Sequence, residues 1–312
     1  MRIVLAPMEG VIDHLMRDVL TKVGDYDHCV TEFVRVVDQI IPERVFYRYC
    51  PELMAADVYG SRTKAGTPVR VQLLGQSPDY MAENAVKVIE LGSSGVDINF
   101  GCPSKTVNKS RGGAILLKDP ENLYQIVKAV KEAVPTGVIV SAKIRLGYED
   151  KSLAIENAQA VEAAGAYELT VHARTKLEGY KPPAHWHWIA KIKQNTSIPI
   201  IANGDIWNLA DAKKCQEVSG CQDIMVGRGA LTIPNLGQVI KQGSPIMPWS
   251  SVQNLLVNYT TFDSDNEKSK YTCNRVKQWL KYLKNHYPAA EDLFAEVRTL
   301  KIAEEMKAIL QR

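Results

Sequence analysis

The chain has 312 residues, of which 46% are hydrophobic and 23% charged, and its formal net charge is +3. This is an ordinary composition for a folded globular protein, with enough chain for a large core and too even a charge for total charge to name a partner. The six cysteines (Cys29, Cys50, Cys102, Cys215, Cys221 and Cys273) are dispersed and form no CxxC pair, and no histidine cluster lies near Cys215 or Cys221; this argues against a disulfide framework or metal site and for reduced cytoplasmic thiols.

Eight short apolar runs recur along the chain, at residues 3–6, 30–33, 69–73, 96–99, 138–144, 168–171, 198–202 and 223–226. Each reads as a buried parallel strand with both faces apolar, and helical segments separate them. Eight such units over about 240 residues predict an α/β fold of the (β/α)8 TIM-barrel type. A doubly wound sheet is the alternative, but eight units without a GxGxxG fingerprint favour the barrel. The first run stops at Pro7 and Glu9, too short for a signal peptide, and no stretch approaches a membrane span.

Gly60, Ser61 and Gly66 mark 57–67 as an exposed loop before the third strand. At Gly243, Ser244, Pro245 and Pro248 the alternation ends, and helical patterns follow at 252–259, 273–285 and 289–312. Two domains are predicted: a barrel at 1–243 and a small all-helical domain at 244–312. The stretch 268–284 holds Lys268, Lys270, Arg275, Lys277, Lys281 and Lys284 without an acidic residue. Its plain reading is a solvated helix face; the sharper one is contact with a nucleic-acid backbone, with Lys277, Lys281 and Lys284 on one side of a helix.

Barrel enzymes place their chemistry where strands end at the C-terminal face. The fourth strand ends in Asn99-Phe100-Gly101-Cys102-Pro103, which sets a thiol at a strand-to-loop junction, and a mostly protonated cysteine there can serve as proton donor or nucleophile. A buried structural cysteine is the competing reading. The fifth strand carries Lys143-Ile144-Arg145. An inward lysine is costly unless it meets an anion, and reduced flavin carries negative charge on its ring; an internal ion pair or a Schiff base are the alternatives. Gln72 has the donor and acceptor that a flavin pyrimidine edge requires. Asn203-Gly204 and Gly227-Arg228-Gly229, after the seventh and eighth strands, offer bare backbone and a guanidinium to a phosphate.

Taken in order, Ala6-Pro7-Met8-Glu9-Gly10, Asn99-Phe100-Gly101-Cys102-Pro103, Lys143-Ile144-Arg145-Leu146-Gly147, His172-Ala173-Arg174-Thr175, Ala202-Asn203-Gly204-Asp205 and Gly227-Arg228-Gly229 resemble the tRNA-dihydrouridine synthase family throughout the barrel. Thr31-Glu32-Phe33-Val34-Arg35-Val36, Arg275-Val276-Lys277-Gln278-Trp279-Leu280 and Val297-Arg298 resemble its C subfamily, which is associated with tRNA position 16. Two departures are Asp205, where the family often has glutamate, and Arg111-Gly112-Gly113 after the cysteine loop.

The resemblance implies a barrel that binds FMN and uses NADPH, or NADH, to reduce a uridine in the tRNA D-loop. It implies that Pro7, Met8, Glu9, Gln72, Lys143, His172, Asn203, Gly204, Asp205, Gly227 and Arg228 hold FMN. Cys102 would give a proton to uracil C5, and Arg145 and Asn99 would face O4. Arg35, Asn99, Tyr180, Arg275, Lys277, Tyr282 and Arg298 would contact tRNA, with Tyr180 beside the everted base. The expectation is a cytoplasmic monomer with tRNA as partner, no metal and no membrane. Two other readings stay open: a flavin barrel acting on a free pyrimidine, like a dihydroorotate dehydrogenase, and a non-catalytic RNA-binding protein.

Overall fold

In the computed structural model, residues 1–58, 60–261 and 269–312 are described; Lys268 of the basic stretch lies outside them. Eight parallel strands close into one barrel in sequence order. They are β1 (Ile3–Leu5), β2 (His28–Arg35), β3 (Val69–Leu74), β4 (Val96–Phe100), β5 (Val140–Arg145), β6 (Glu168–His172), β7 (Ile200–Asn203) and β8 (Asp223–Val226). The ring closes where Leu5 of β1 lies opposite Val226 of β8. No helix among the described residues is long and apolar enough to cross a membrane.

The strands differ from the reading of two apolar faces. In β3, Val69, Val71 and Leu73 join the core outside the barrel, among residues packed under the helices, while Arg70 and Gln72 alternate with them. The same alternation gives Asp97 and Asn99 in β4, Ser141 and Lys143 in β5, and Glu168, Thr170 and His172 in β6. A separate apolar cluster of Val4, Ala6, Val30, Ile201 and Met225 comes from β1, β2, β7 and β8. The interior is thus apolar on one side and polar on the other, and each polar group there needs a partner. At the N-terminal end Glu168 provides one, accepting from Arg2 at 2.7 Å and Arg70 at 2.5 Å.

The 57–67 segment is not simply an exposed loop. Ser61 and Thr63 are buried, and Ser61 Oγ donates to the Val69 carbonyl at 2.8 Å. Among the described residues after 243 there are four helices: Trp249–Thr261, Ser269–Leu283, Ala289–Val297 and Ala303–Leu310. The predicted continuous helix over 289–312 is therefore two. At the break, Lys277 Nζ takes the Leu300 carbonyl at 2.5 Å and Ser269 Oγ accepts the Ala303 amide at 2.5 Å. These tertiary bonds compete with helix continuation across Thr299 and Ile302, whose branched side chains favour a helix less. Trp279 is buried and donates its indole N–H to the Leu231 carbonyl at 3.0 Å, which fastens this helical segment to the barrel.

Candidate active site

A cavity of about 660 Å³ opens at the C-terminal ends of the strands, within the range of small-molecule sites. Strand register builds it. Asn99 lies opposite Lys143, Arg145 opposite His172, and His172 opposite Asn203, so groups far apart in sequence share adjacent levels of the barrel. Pro7, Met8, Glu9, Gln72, Asn99, Cys102, Lys143, Arg145, His172, Tyr180, Asn203, Gly204, Asp205, Gly227, Arg228 and Tyr282 all line it.

The cysteine is held by a chain of amides. Ser141 Oγ donates to Asp97 Oδ1 at 2.7 Å, and Gln72 Nε2 donates to Asp97 Oδ2 at 2.6 Å. Asn99 Nδ2 donates to Gln72 Oε1 at 2.7 Å, and Asn99 Oδ1 accepts the amides of Gly101 at 2.8 Å and Cys102 at 2.9 Å. Cys102 is only 6% exposed, and that remainder faces the cavity. Burial pushes its thiol above the ordinary value, with the Ser104 amide pulling the other way and Glu9 adding to the rise. The sulfur therefore keeps its proton at neutral pH, as an acid must.

Lys143 has no hydrogen bond or ion pair among the described residues, and burial with Arg145 nearby brings its ammonium down to about 8. The internal ion pair considered for it is absent among those residues. Burial and the cations Arg145, Lys143, Arg174 and Arg228 push His172 well below its usual range. Two buried donors or acceptors beside this wall lack partners, His172 Nδ1 and Arg174 Nη1. Asp205 sits between Arg174 and Arg228, 3.1 Å from the latter. Its φ of +50° follows Gly204 at +121°, a left-handed turn that aspartate tolerates better than most residues. Of the glycines read as a phosphate cradle, Gly229 has a packing role, because a Cβ there would stand 2.1 Å from the Ile206 carbonyl oxygen.

Arg145 and Asn99 have other work than the O4 contact expected of them. Arg145 Nε donates to the Gly101 carbonyl at 2.8 Å, and Nη1 to Thr175 and Gly179 at 3.1 and 3.0 Å. Asn99 holds the Cys102 loop as described. Gln72 likewise commits one N–H and its oxygen to Asp97 and Asn99. Tyr180, 55% exposed, stands at the mouth between two guanidiniums, 5.2 Å from Arg145 and 5.1 Å from Arg228.

The four remaining expected tRNA residues lie outside the cavity. Arg275 is 5% exposed, 3.1 Å from Asp13, and donates to the carbonyls of Gly10 and Val11. It pins the helix Ser269–Leu283 to the loop after β1. Lys277 is half-buried and bound to Leu300. Farther along the helix Lys281 and Lys284 are exposed, Lys281 over Phe294 at 5.4 Å and Lys284 in a surface pair with Glu291 at 3.1 Å. Arg35 and Arg298 are exposed. Sequence reasoning gave no site role to Glu32, Phe33 and Trp207, which line the cavity, or to Arg174 beside it. A register shift between Val30 and Phe33 swings the first two to the rim, and no residue there announces the bulge. Arg174 was legible in principle, as an arginine two residues past the end of β6.

A family model described as dihydrouridine synthase (Dus) matches residues 4–311. The chain is 54% identical over 312 residues to the tRNA-dihydrouridine(16) synthase of Shewanella oneidensis, covering 100% of this chain and 98% of that one. It is 55% identical to the enzyme of the same name from Vibrio cholerae, covering 100% and 96%, and 53% identical to that of Escherichia coli K12, covering 100% and 98%. Among solved structures, morphinone reductase in complex with tetrahydroNAD aligns with a TM-score of 0.54 at 12% identity, over 79% of this chain and 88% of that chain. The 2-naphthoyl-CoA reductase complex with 2-naphthoyl-CoA aligns with a TM-score of 0.59 at 14% identity, over 78% and 50%. These two likenesses concern the fold alone.

Proposed function

The chain belongs to the dihydrouridine synthase (Dus) family, and from that premise we propose that it reduces a uridine of tRNA to 5,6-dihydrouridine, at position 16 of the D-loop, as a member of the C subfamily. The names of its relatives support that position. The observation that carries the reading is that Cys102, just past β4, and Lys143 of the adjacent strand β5 line one cavity, with no hydrogen bond or ion pair to Lys143 among the described residues.

The residues present fit a flavin. Among the described residues Lys143 lines the cavity with no hydrogen bond or ion pair, and His172 Nδ1 and Arg174 Nη1 are buried without hydrogen-bond partners. Such groups are costly to maintain unless a ligand satisfies them. FMN would be held by Pro7, Met8, Glu9, Gln72, Lys143, His172, Asn203, Gly204, Asp205, Gly227 and Arg228, with the phosphate toward the ends of β7 and β8. Bound and reduced by NADPH, it supplies hydride to the uracil ring. Lys143 balances anionic charge on the cavity floor. Cys102 gives its proton to C5, from a position fixed by the Asn99 amide chain. Arg145 keeps that loop in place through the Gly101 carbonyl. Tyr180 and Tyr282 border the everted base at the mouth.

Residues 244–312 form the RNA-holding unit in this reading, with Arg298 on its surface and Arg35 on the barrel side. Arg275 serves it by anchoring. The protein acts as a cytoplasmic monomer. The test is to map dihydrouridine in tRNA from a strain lacking the gene and to restore it with purified protein, FMN and NADPH. Loss and recovery at position 16 alone is the expected result; no change, or a change elsewhere, rejects the assignment.

A further inference from the structure

Between Asp97 and Asp119 the chain has no acidic residue and four basic ones, Lys105, Lys109, Arg111 and Lys118. Lys118 is neutralised by Glu149 at 2.7 Å. The other three are exposed, and none has a side-chain partner among the described residues. Lys105 and Lys109 stand four apart on the helix Lys105–Lys109 and share a face, their Cβ atoms roughly 6 Å apart. Arg111 follows with a φ of +57°, backbone that a glycine would adopt at about 1 kcal/mol less cost. Arg35, from the end of β2, reaches the same loop and donates to Ser110 Oγ. The loop begins at Cys102, Pro103 and Ser104, which line the cavity. Three cations therefore lie on the segment that carries the thiol, and Arg35 of β2 reaches that segment beside them.

In the helical tail Lys277 is half-buried against the Leu300 carbonyl, while the exposed Lys281 and Lys284 have Phe294 and Glu291 beside them. Lys105, Lys109 and Arg111 have no anionic partner among the described residues, and like charges so placed favour a polyanion. We propose that the Lys105–Arg111 lip, with Arg35, is a phosphate-binding surface that grips the sugar–phosphate backbone of the RNA on the cysteine side of the everted base. The inference rests on the tRNA-uridine reading of the cavity and adds to it a second RNA contact, apart from the tail. Because the gripped segment leads directly from Cys102, RNA binding and presentation of the thiol share one piece of backbone.

The experiment measures the affinity of the flavin-loaded protein for an unmodified tRNA transcript as a function of salt. Each phosphate contact adds about 0.7–0.9 to the slope of log affinity against log salt. The triple variant Lys105→Gln/Lys109→Gln/Arg111→Gln should lose roughly 2 from that slope and at least tenfold in affinity at low salt. Lys105→Arg/Lys109→Arg should keep the wild-type slope, and Lys118→Gln, whose charge is already paired, should bind and turn over as wild type. A wild-type slope in the triple variant, or an equal loss in Lys118→Gln, overturns the proposal. Should wild type form dihydrouridine while the triple variant keeps its slope, the lip alone is rejected; should wild type form none, the functional reading falls first.

Discussion

Asn99 and Cys102 are joined across three residues by the Asn99 side-chain oxygen, which accepts the Cys102 amide at 2.9 Å while also holding Gly101 at 2.8 Å. The next-to-last residue of β4 thereby sets the position of the thiol beyond the strand. The orientation of the asparagine amide is forced from both ends: backbone N–H groups demand its oxygen, and Gln72 Oε1, fixed in turn by the Asp97 carboxylate, demands its nitrogen. Asn99→Ala should leave two loop amides and one glutamine oxygen without partners and cost about 1–3 kcal/mol in urea unfolding. Turnover on tRNA should fall roughly 10²-fold through misplacement of the sulfur, with Cys102 still present to alkylation under denaturing conditions. Wild-type turnover in this variant would show that the loop holds its shape without the bond.

Cys102→Ala removes the proton donor and little else. Bound flavin and its reduction by NADPH should persist, while dihydrouridine formation falls by roughly 10²–10⁴-fold, the usual contribution of a placed general acid. Stopped-flow reduction followed by product analysis separates the two half-reactions.

Lys143 gives a pH signature. Its ammonium titrates at about 8 in the folded protein against 10.5 ordinarily. Between those values the unfolded chain binds the additional proton, so this group's penalty on native stability is full below about 8 and disappears as pH rises through 10.5. Lys143→Met should therefore stabilise the flavin-free protein at pH 7 by about 1–3 kcal/mol, with the gain over wild type shrinking across that window. The same variant should retain less flavin. Denaturant unfolding across pH and flavin content on purification check the two effects.

Arg275→Ala tests whether this residue anchors or binds RNA. Removing one member of a buried pair with Asp13 should cost about 3–5 kcal/mol in unfolding, and the salt slope of tRNA binding should stay that of wild type. A reduced slope with unchanged stability would return Arg275 to the RNA surface.

Much of the fold was legible because strands are short, contiguous and apolar. All eight runs became strands, with ends shifted by a few residues; the interior polarity of β3 to β6 was less visible, because Arg70 and Gln72 sit singly among valines and leucines. The cavity residues were legible where a strand-end motif carries them, as with Cys102, Lys143 and Arg228. Glu32 and Phe33 were not, since a bulge in β2 changes which residues reach the rim. The partners of Arg275 and Lys277 were not legible for a related reason: a cation in sequence shows its charge but not what faces it, here Asp13 and the Leu300 carbonyl.

By itself, the order of residues determined the number of strands and the presence of a thiol and a lysine at neighbouring strand ends, because these follow from local periodicity and from a barrel's fixed strand order. Tertiary structure decided which cations are neutralised and which remain free. Ion pairing and burial depend on contacts between distant segments such as Asp13 with Arg275 and Glu149 with Lys118, and only closure of the barrel and docking of the last helices bring those segments within reach.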